Sequence, residues 1–289
     1  MAESRKPEWC CIGHSVRGAS HIRTQIPNQD AIHWQLPKVG FGSPMILAVA
    51  DGHGSRSSFR SHIGSRLAVE IVTKIIWSSF VNYQFAVHSF RTFHDWMERR
   101  LPQILVQDWR MAVNEHYKAN PFSEKEREQF ITQYGWQALQ TVDTNITFVY
   151  GSTILAVFAT ELFIIYLQLG DGNILYVKDN GDTFQIFSQD ERFIANQTTS
   201  LCSLNAWREV RTYTQLIESQ SLPELLLVST DGYANSFSSQ KEFLKIGKDY
   251  LQIIQEEGLD RITKELPKIL KNMSYEGSGD DITLGVIKF

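Results

Sequence analysis

Three runs of strand-forming residues, MILAVA (45–50), LFIIYLQL (162–169) and LLLVST (225–230), each end at or beside an Asp-Gly pair, at Asp51, Asp171 and Asp231. Continuous apolar runs of this length, bounded by turn residues, predict strands covered on both faces, since a strand with one face in water would alternate. STILAVFA (152–159), NILYV (173–177), TFQIF (183–187) and ITLGVIKF (282–289) have the same character. The fold must therefore bury sheets between other layers.

Helical spacing fills the gaps. Phe59, Ile63, Leu67, Ile71 and Ile75 recur every four residues, with Ser57 or Ser58 available as N-cap. A second stripe, Phe90, Phe93, Met97, Leu101, Leu105, Trp109 and Val113, predicts one long helix or a pair broken near Pro102, and a third covers about 240–270. Strands, helices, a run of strands, then a helix and a last strand lack the alternation of a doubly wound parallel sheet, and predict a sheet sandwich flanked by helices. The runs 162–169 and 173–177 around GDGN predict a β-hairpin, and HYKANPFSEKEREQF (116–130) reads as a long surface connection between helices. No repeat or Pro/Gly-rich linker divides the chain, so residues 1–289 are expected to form a single domain.

The net charge of −4 gives no general positive field, so neither nucleic acid nor an anionic membrane is an expected partner, and affinity for phosphate must come from a local site. Cys10, Cys11 and Cys202 make neither a disulfide framework nor a zinc spacing, and no apolar segment reads as a signal or membrane span. A cytoplasmic protein is expected.

Asp30 in NQDAIHW, and Asp280 and Asp281 in SGDDITLGVI, stand before further strand-like runs. Any one Asp-Gly is a common turn, and for Asp171 the hairpin context keeps that reading serious. Asp51 and Asp231 are instead followed by chain with helical spacing. If the strand ends converge, so many carboxylates cannot all stay ionised without a cation. Oxygen donors with few Cys or His suit Mg²⁺ or Mn²⁺ rather than zinc, and Gly52 would let a backbone carbonyl approach the ion.

The motifs NQDA, VADGHGS, GST (151–153), LGDG, STDG and GDDIT, in that order and at those intervals, resemble the metal-dependent protein phosphatases of type 2C, particularly the shorter bacterial branch. The resemblance implies an α+β fold, a four-layer α-β-β-α sandwich of two antiparallel sheets, with two Mg²⁺ or Mn²⁺ ions at one end. It implies metal-binding roles for Asp30, Asp51 as the shared carboxylate, Gly52 through its carbonyl, Asp231 and Asp280, and for Asp171 a share in a weaker third ion. It further implies hydrolysis of phosphoserine and phosphothreonine in proteins by a metal-bridging hydroxide, without a covalent phosphoenzyme, and His53 as general acid; a turn histidine capping the next helix is the alternative for His53.

Departures from the family pattern accompany the matches. Gln29 stands where many relatives carry an acid, Asp281 replaces the usual Asn, and Gly172 replaces a Ser. Gln25 lies five residues before Asp30, where many members carry the phosphate-binding arginine, which leaves Arg23 as first candidate and Arg17 as second, each with a solvated surface role as the alternative. His14 and His21 read as structural or substrate-side. A catalytically silent binding module and a small-molecule phosphoester hydrolase are the competing functions; the presence of Asp30, Asp51, Asp231 and Asp280 together favours activity.

Overall fold

The computed structural model describes residues 9–37, 43–54, 56–82, 90–188, 199–217 and 222–289. In chain order the strands are β1 (Cys10–Val16), β2 (Ala31–Gln35), β3 (Met45–Ala50), β4 (Ile154–Ala159), β5 (Phe163–Leu169), β6 (Asn173–Val177), β7 (Thr183–Gln185), β8 (Arg211–Leu216), β9 (Leu225–Ser229) and β10 (Ile282–Lys288). The helices are α1 (Ala19–Thr24), α2 (Ser61–Asn82), α3 (Phe90–Arg99), α4 (Leu101–Ala119), α5 (Glu124–Tyr134), α6 (Trp136–Thr144), α7 (Ala206–Glu209), α8 (Asp231–Ala234), α9 (Gln240–Glu257) and α10 (Leu259–Glu276).

The strands form two antiparallel sheets, ordered β1-β10-β9-β6-β7 and β2-β3-β4-β5-β8. The continuous apolar runs follow from the layering. Met45, Leu47 and Val49 of β3 point into the core between the sheets with Leu226 and Val228 of β9, whereas Ile46, Ala48 and Ala50 face the helices, packing with Val69, Val72 and Trp109. On the other side Leu225 and Leu227 meet Phe243, Leu266 and Leu270 of α9 and α10. The result is the four-layer α-β-β-α sandwich, each buried Val, Leu or Ile contributing roughly 1.5–3 kcal/mol relative to exposure.

Several local expectations need correction. The runs 162–169 and 173–177 are not a hairpin: β5 lies between β4 and β8, with both edges occupied, and β6 pairs with β9 and β7 in the other sheet. Gly170, at φ 110, begins the crossing between sheets, a backbone conformation open to glycine. The segment 116–130 is mostly helix: α4 runs to Ala119, and a capping box of Ser123 and Glu126 starts α5 three residues past Asn120. The stripe over 240–270 is two helices separated by Gly258. The stripe from Phe90 does break into a pair, at Arg100 just before Pro102, and α2 begins at Ser61 after a short 3-10 turn rather than at Ser57 or Ser58.

Candidate active site

Register decides which residues meet. Ala31 pairs with Ala50, so Asp30 and Asp51 continue past the same end of β2 and β3. Ile154 pairs with Leu169, which carries Thr153 and the chain toward Asp171 to that end as well. In the other sheet Leu284 pairs with Ser229 and Val16 with Ile282, bringing Asp231, Asp280, Asp281 and Arg17 to the matching edge.

Hydrogen bonds close the seam between the sheets there. Oδ2 of Asp30 accepts from the hydroxyls of Thr230 (2.7 Å) and Thr283 (2.8 Å), both of the opposite sheet. Asp51 N–H donates to Thr153 Oγ1 at 2.9 Å, and Thr153 N–H to the Asp51 carbonyl at 2.8 Å. Gly52 N–H donates to the Gln29 carbonyl at 3.1 Å, and a Cβ at position 52 would come within 2.7 Å of that oxygen and 2.8 Å of Ser61. No larger residue fits there without moving the backbone at Gln29 or Ser61. Asn235 Nδ2 donates to Asp231 Oδ2 at 3.0 Å, one turn along from the aspartate.

Asp51, Asp171 and Asp231 each offer an oxygen, and the three oxygens lie within 4.8 Å of one another. Burial, then the charges of Asp30 and Asp231, raise the Asp51 carboxyl well above the ordinary range. Asp30 is raised well above that range too, by burial and then Asp281. Burial and the neighbouring Asp171 push Asp231 up to about 6, and Asp280 rises chiefly through burial. Asp51 and Asp231 stand close enough to share a proton. This is the behaviour of carboxylates packed together without a counter-charge.

A second acidic group, His21 with Asp280 and Asp281, differs in kind. Asp281, 3% exposed, accepts from Gly18 N–H and Gln29 N–H, both at 2.6 Å, and its Oδ2 lies 2.9 Å from Nδ1 of His21. Contact with Asp281 raises the His21 pKa against the opposing effect of burial. Asp281 thus spends its oxygens within the protein, tying β10 to the segment that carries Asp30. His21 is part of that tie.

His53 N–H donates to the Gly151 carbonyl at 3.1 Å, and its ring lies against Gly151. Burial lowers the His53 pKa, opposed by the Asp171 charge. Gln29, 3% exposed, donates to Ser61 Oγ at 2.6 Å, while its Oε1 is buried with no partner among the described residues. Arg17 donates to the His21 carbonyl at 2.9 Å beside the aspartates. Arg23 is exposed on the last turn of α1, two residues beyond buried His21, and His14 lies in β1.

With this geometry in hand, the sequence matches the protein phosphatase 2C family over residues 17–271. The chain belongs to the protein phosphatase 2C family. The match stops short of Asp280 and Asp281, whose placement comes from the β10 register. A comparison with curated proteins found no match. Among solved structures the protein phosphatase 2C fold recurs in the S. agalactiae serine/threonine phosphatase, 20% identical, covering 97% of this chain and 99% of that one with a TM-score of 0.57. It recurs in serine/threonine phosphatase Stp1 from Staphylococcus aureus, 13% identical, covering 99% of each chain with a TM-score of 0.56. The catalytic domain of the serine threonine protein phosphatase PstP, a complex with two manganese ions, is 14% identical, covering 97% of this chain and 98% of that one with a TM-score of 0.55.

Sequence reasoning passed over several residues of this family site. Thr153, Thr230 and Thr283 orient the aspartates, and Arg60 anchors a neighbouring helix through contacts 60–90 residues away in sequence. The threonines stand inside the quoted motifs GST, STDG and GDDIT, whereas nothing local marks Arg60.

Proposed function

We propose that this chain is a Mg²⁺- or Mn²⁺-dependent phosphatase acting on phosphoserine and phosphothreonine in proteins, with residues 1–289 as one catalytic domain in cytoplasmic signalling. The observation that carries the reading is the set of oxygens of Asp51, Asp171 and Asp231 within 4.8 Å, with Asp51 and Asp231 held above their ordinary pKa. An all-oxygen donor set of three carboxylates with mutually repelling charges fits hard divalent ions. Asp51, Asp171 and Asp231 would hold one ion, with Asp30, Asp280 and the Gly52 carbonyl as the further ligands. Bound there, such ions would neutralise the phosphoryl group and make water acidic enough to attack near neutral pH.

The chain's own groups supply the rest. Thr230 and Thr283 fix one oxygen of Asp30 and leave the other for an ion. Arg17, held beside the aspartates by the His21 carbonyl, is better placed than Arg23 to clamp a substrate phosphate. His53 gives a proton to the departing serine or threonine oxygen; burial favours its neutral form, so it must take up that proton first. No helix among the described residues is long and apolar enough to cross a membrane. A phosphorylated protein is the partner.

The test is hydrolysis of an aryl phosphate and of phosphoserine and phosphothreonine peptides with Mn²⁺ or Mg²⁺, with EDTA, and in Asp231→Asn. Metal-dependent turnover lost in EDTA and in the variant is expected, with His53→Ala costing the peptides more than the aryl ester. Absence of turnover with metal would leave a silent binding module, and turnover of the aryl ester without the peptides a small-molecule hydrolase.

A further inference from the structure

Beside the site, α5 forms one wall of a groove of about 810 Å³ whose opposite bank is the segment from Thr24 to Pro27. Gln29 and Gly54 line its inner end, each adjacent in sequence to a residue of the site, Asp30 and His53. The groove therefore borders the residues that flank the site in sequence.

Its wall is fixed by Arg60, which is 6% exposed and uses all five N–H donors. Nε and Nη2 donate to the two Glu126 oxygens at 2.8 and 2.9 Å, Nη1 to the Asn120 carbonyl at 2.6 Å and the Tyr150 hydroxyl at 2.9 Å, and Nη2 also to the Pro121 carbonyl at 3.1 Å. The guanidinium stacks over Phe122 at 4.7 Å. Against the effect of burial, hydrogen bonds from Arg60 and Ser123 pull the Glu126 carboxyl down to about 2, so this acid stays ionised and fully paired. A wall locked in this way is preorganised for a ligand.

The lining is mixed. Ile26, Phe59 and Phe130 give it apolar surface, and Gln25, Gln129 and Gln133 offer amides. Amides pair equally well with the N–H and C=O groups of any peptide backbone. Among the described residues two glutamates line the groove and no lysine or arginine does. Arg60 neutralises Glu126, while Glu128 is exposed with no ionic partner among the described residues.

We propose that this groove holds the substrate polypeptide on one side of the phosphorylated residue and selects a basic side chain there through Glu128. The inference rests on the phosphatase reading above. It narrows the substrate class to phosphoproteins whose phosphorylated residue has Lys or Arg nearby, within the reach of one extended segment.

The experiment uses phosphothreonine peptides carrying a single Arg, Gln or Glu at each position two to five residues from the phosphate on either side. For each peptide kcat/KM is divided by the value for an aryl phosphate, which is too small to reach the groove. Expected is a preference for Arg over Glu on one side, and a fall in that Arg/Glu ratio on the order of three- to tenfold in Glu128→Lys, shrinking in high salt. Gln133→Lys, on the same wall, should move the ratio in the same direction and guards against misfolding of the first variant, which melting temperature would reveal. Equal turnover of Arg and Glu peptides by the wild type, or a ratio unchanged in both variants, overturns the groove while leaving the phosphatase reading intact. No turnover of any substrate, or of the aryl ester alone, overturns the protein phosphatase reading and the groove with it.

Discussion

The carboxylate cluster at the sheet ends is half-buried and the Arg60 knot at the foot of α5 is centred on a buried guanidinium; both are charged, and both are built from residues far apart in sequence. They differ in balance. Around Arg60 every donor meets an acceptor, and the one acid, Glu126, is stabilised as an anion. Around Asp51 acids face acids, and their protons are held too tightly for ordinary aspartates. A buried polar cluster that is satisfied holds the fold together, whereas one in conflict keeps its charge for something that arrives from outside.

That contrast can be broken in either place. Arg60→Met leaves the part-buried Glu126 carboxylate to Ser123 alone and takes the donor from two carbonyls, and should cost about 2–3 kcal/mol in urea unfolding, since buried acceptors lose their partner. A loss below about 1 kcal/mol would mean the knot is dispensable. Asp51→Asn should do the opposite in EDTA, leaving stability equal or higher because it removes one of the mutually repelling charges. The same change should lower metal-dependent turnover on the order of 10²–10³-fold, as for loss of a preorganised electrostatic group. Destabilisation by Asp51→Asn without metal would show that the cluster is structural after all.

The smallest effect is in pH. The carboxyls of Asp30, Asp51, Asp231 and Asp280 are raised in the folded state, so the fold binds more protons than the unfolded chain between the ordinary aspartate pKa and about 6, the value for Asp231. Their contribution is fully present below the unfolded pKa and is lost as pH rises through the folded one. Half-buried His53, with its pKa lowered chiefly by desolvation, works in the reverse sense over its own range. The difference between wild type and Asp51→Asn isolates the carboxylates: in EDTA the wild-type melting temperature should fall relative to the variant from pH 5 to pH 7.5. Mn²⁺ should raise the wild-type value more at pH 7.5 than at pH 5. A parallel pair of pH profiles would remove the charge conflict from the account.

How much of this was legible depended on how local each signal is. β3, β4, β9 and β10 stand out because both faces of each are covered, which writes an unbroken apolar run into the sequence. The aspartates were legible because each stands beside the end of a strand run. GDGN misled because Asp-Gly is turn chemistry wherever it occurs, while the partners of β5 and β6 are set by distant strands. β8, with exposed Tyr213 and Leu216, lacks a clean alternation, and the polar α5 hides behind Pro121. The ties through Asp281 and Arg60 span 60 to 263 residues, and no window of sequence contains them.

The crossing at Gly170 has a mechanical consequence. It joins the two sheets covalently at the edge where Asp30 of one sheet is hydrogen-bonded to Thr230 and Thr283 of the other. Asp51 comes from one sheet, Asp231 from the other, and Asp171 from the strap between them. Any ion gripped by all three therefore acts as a rivet through both layers, and its affinity is also a measure of how strongly the layers resist sliding past each other.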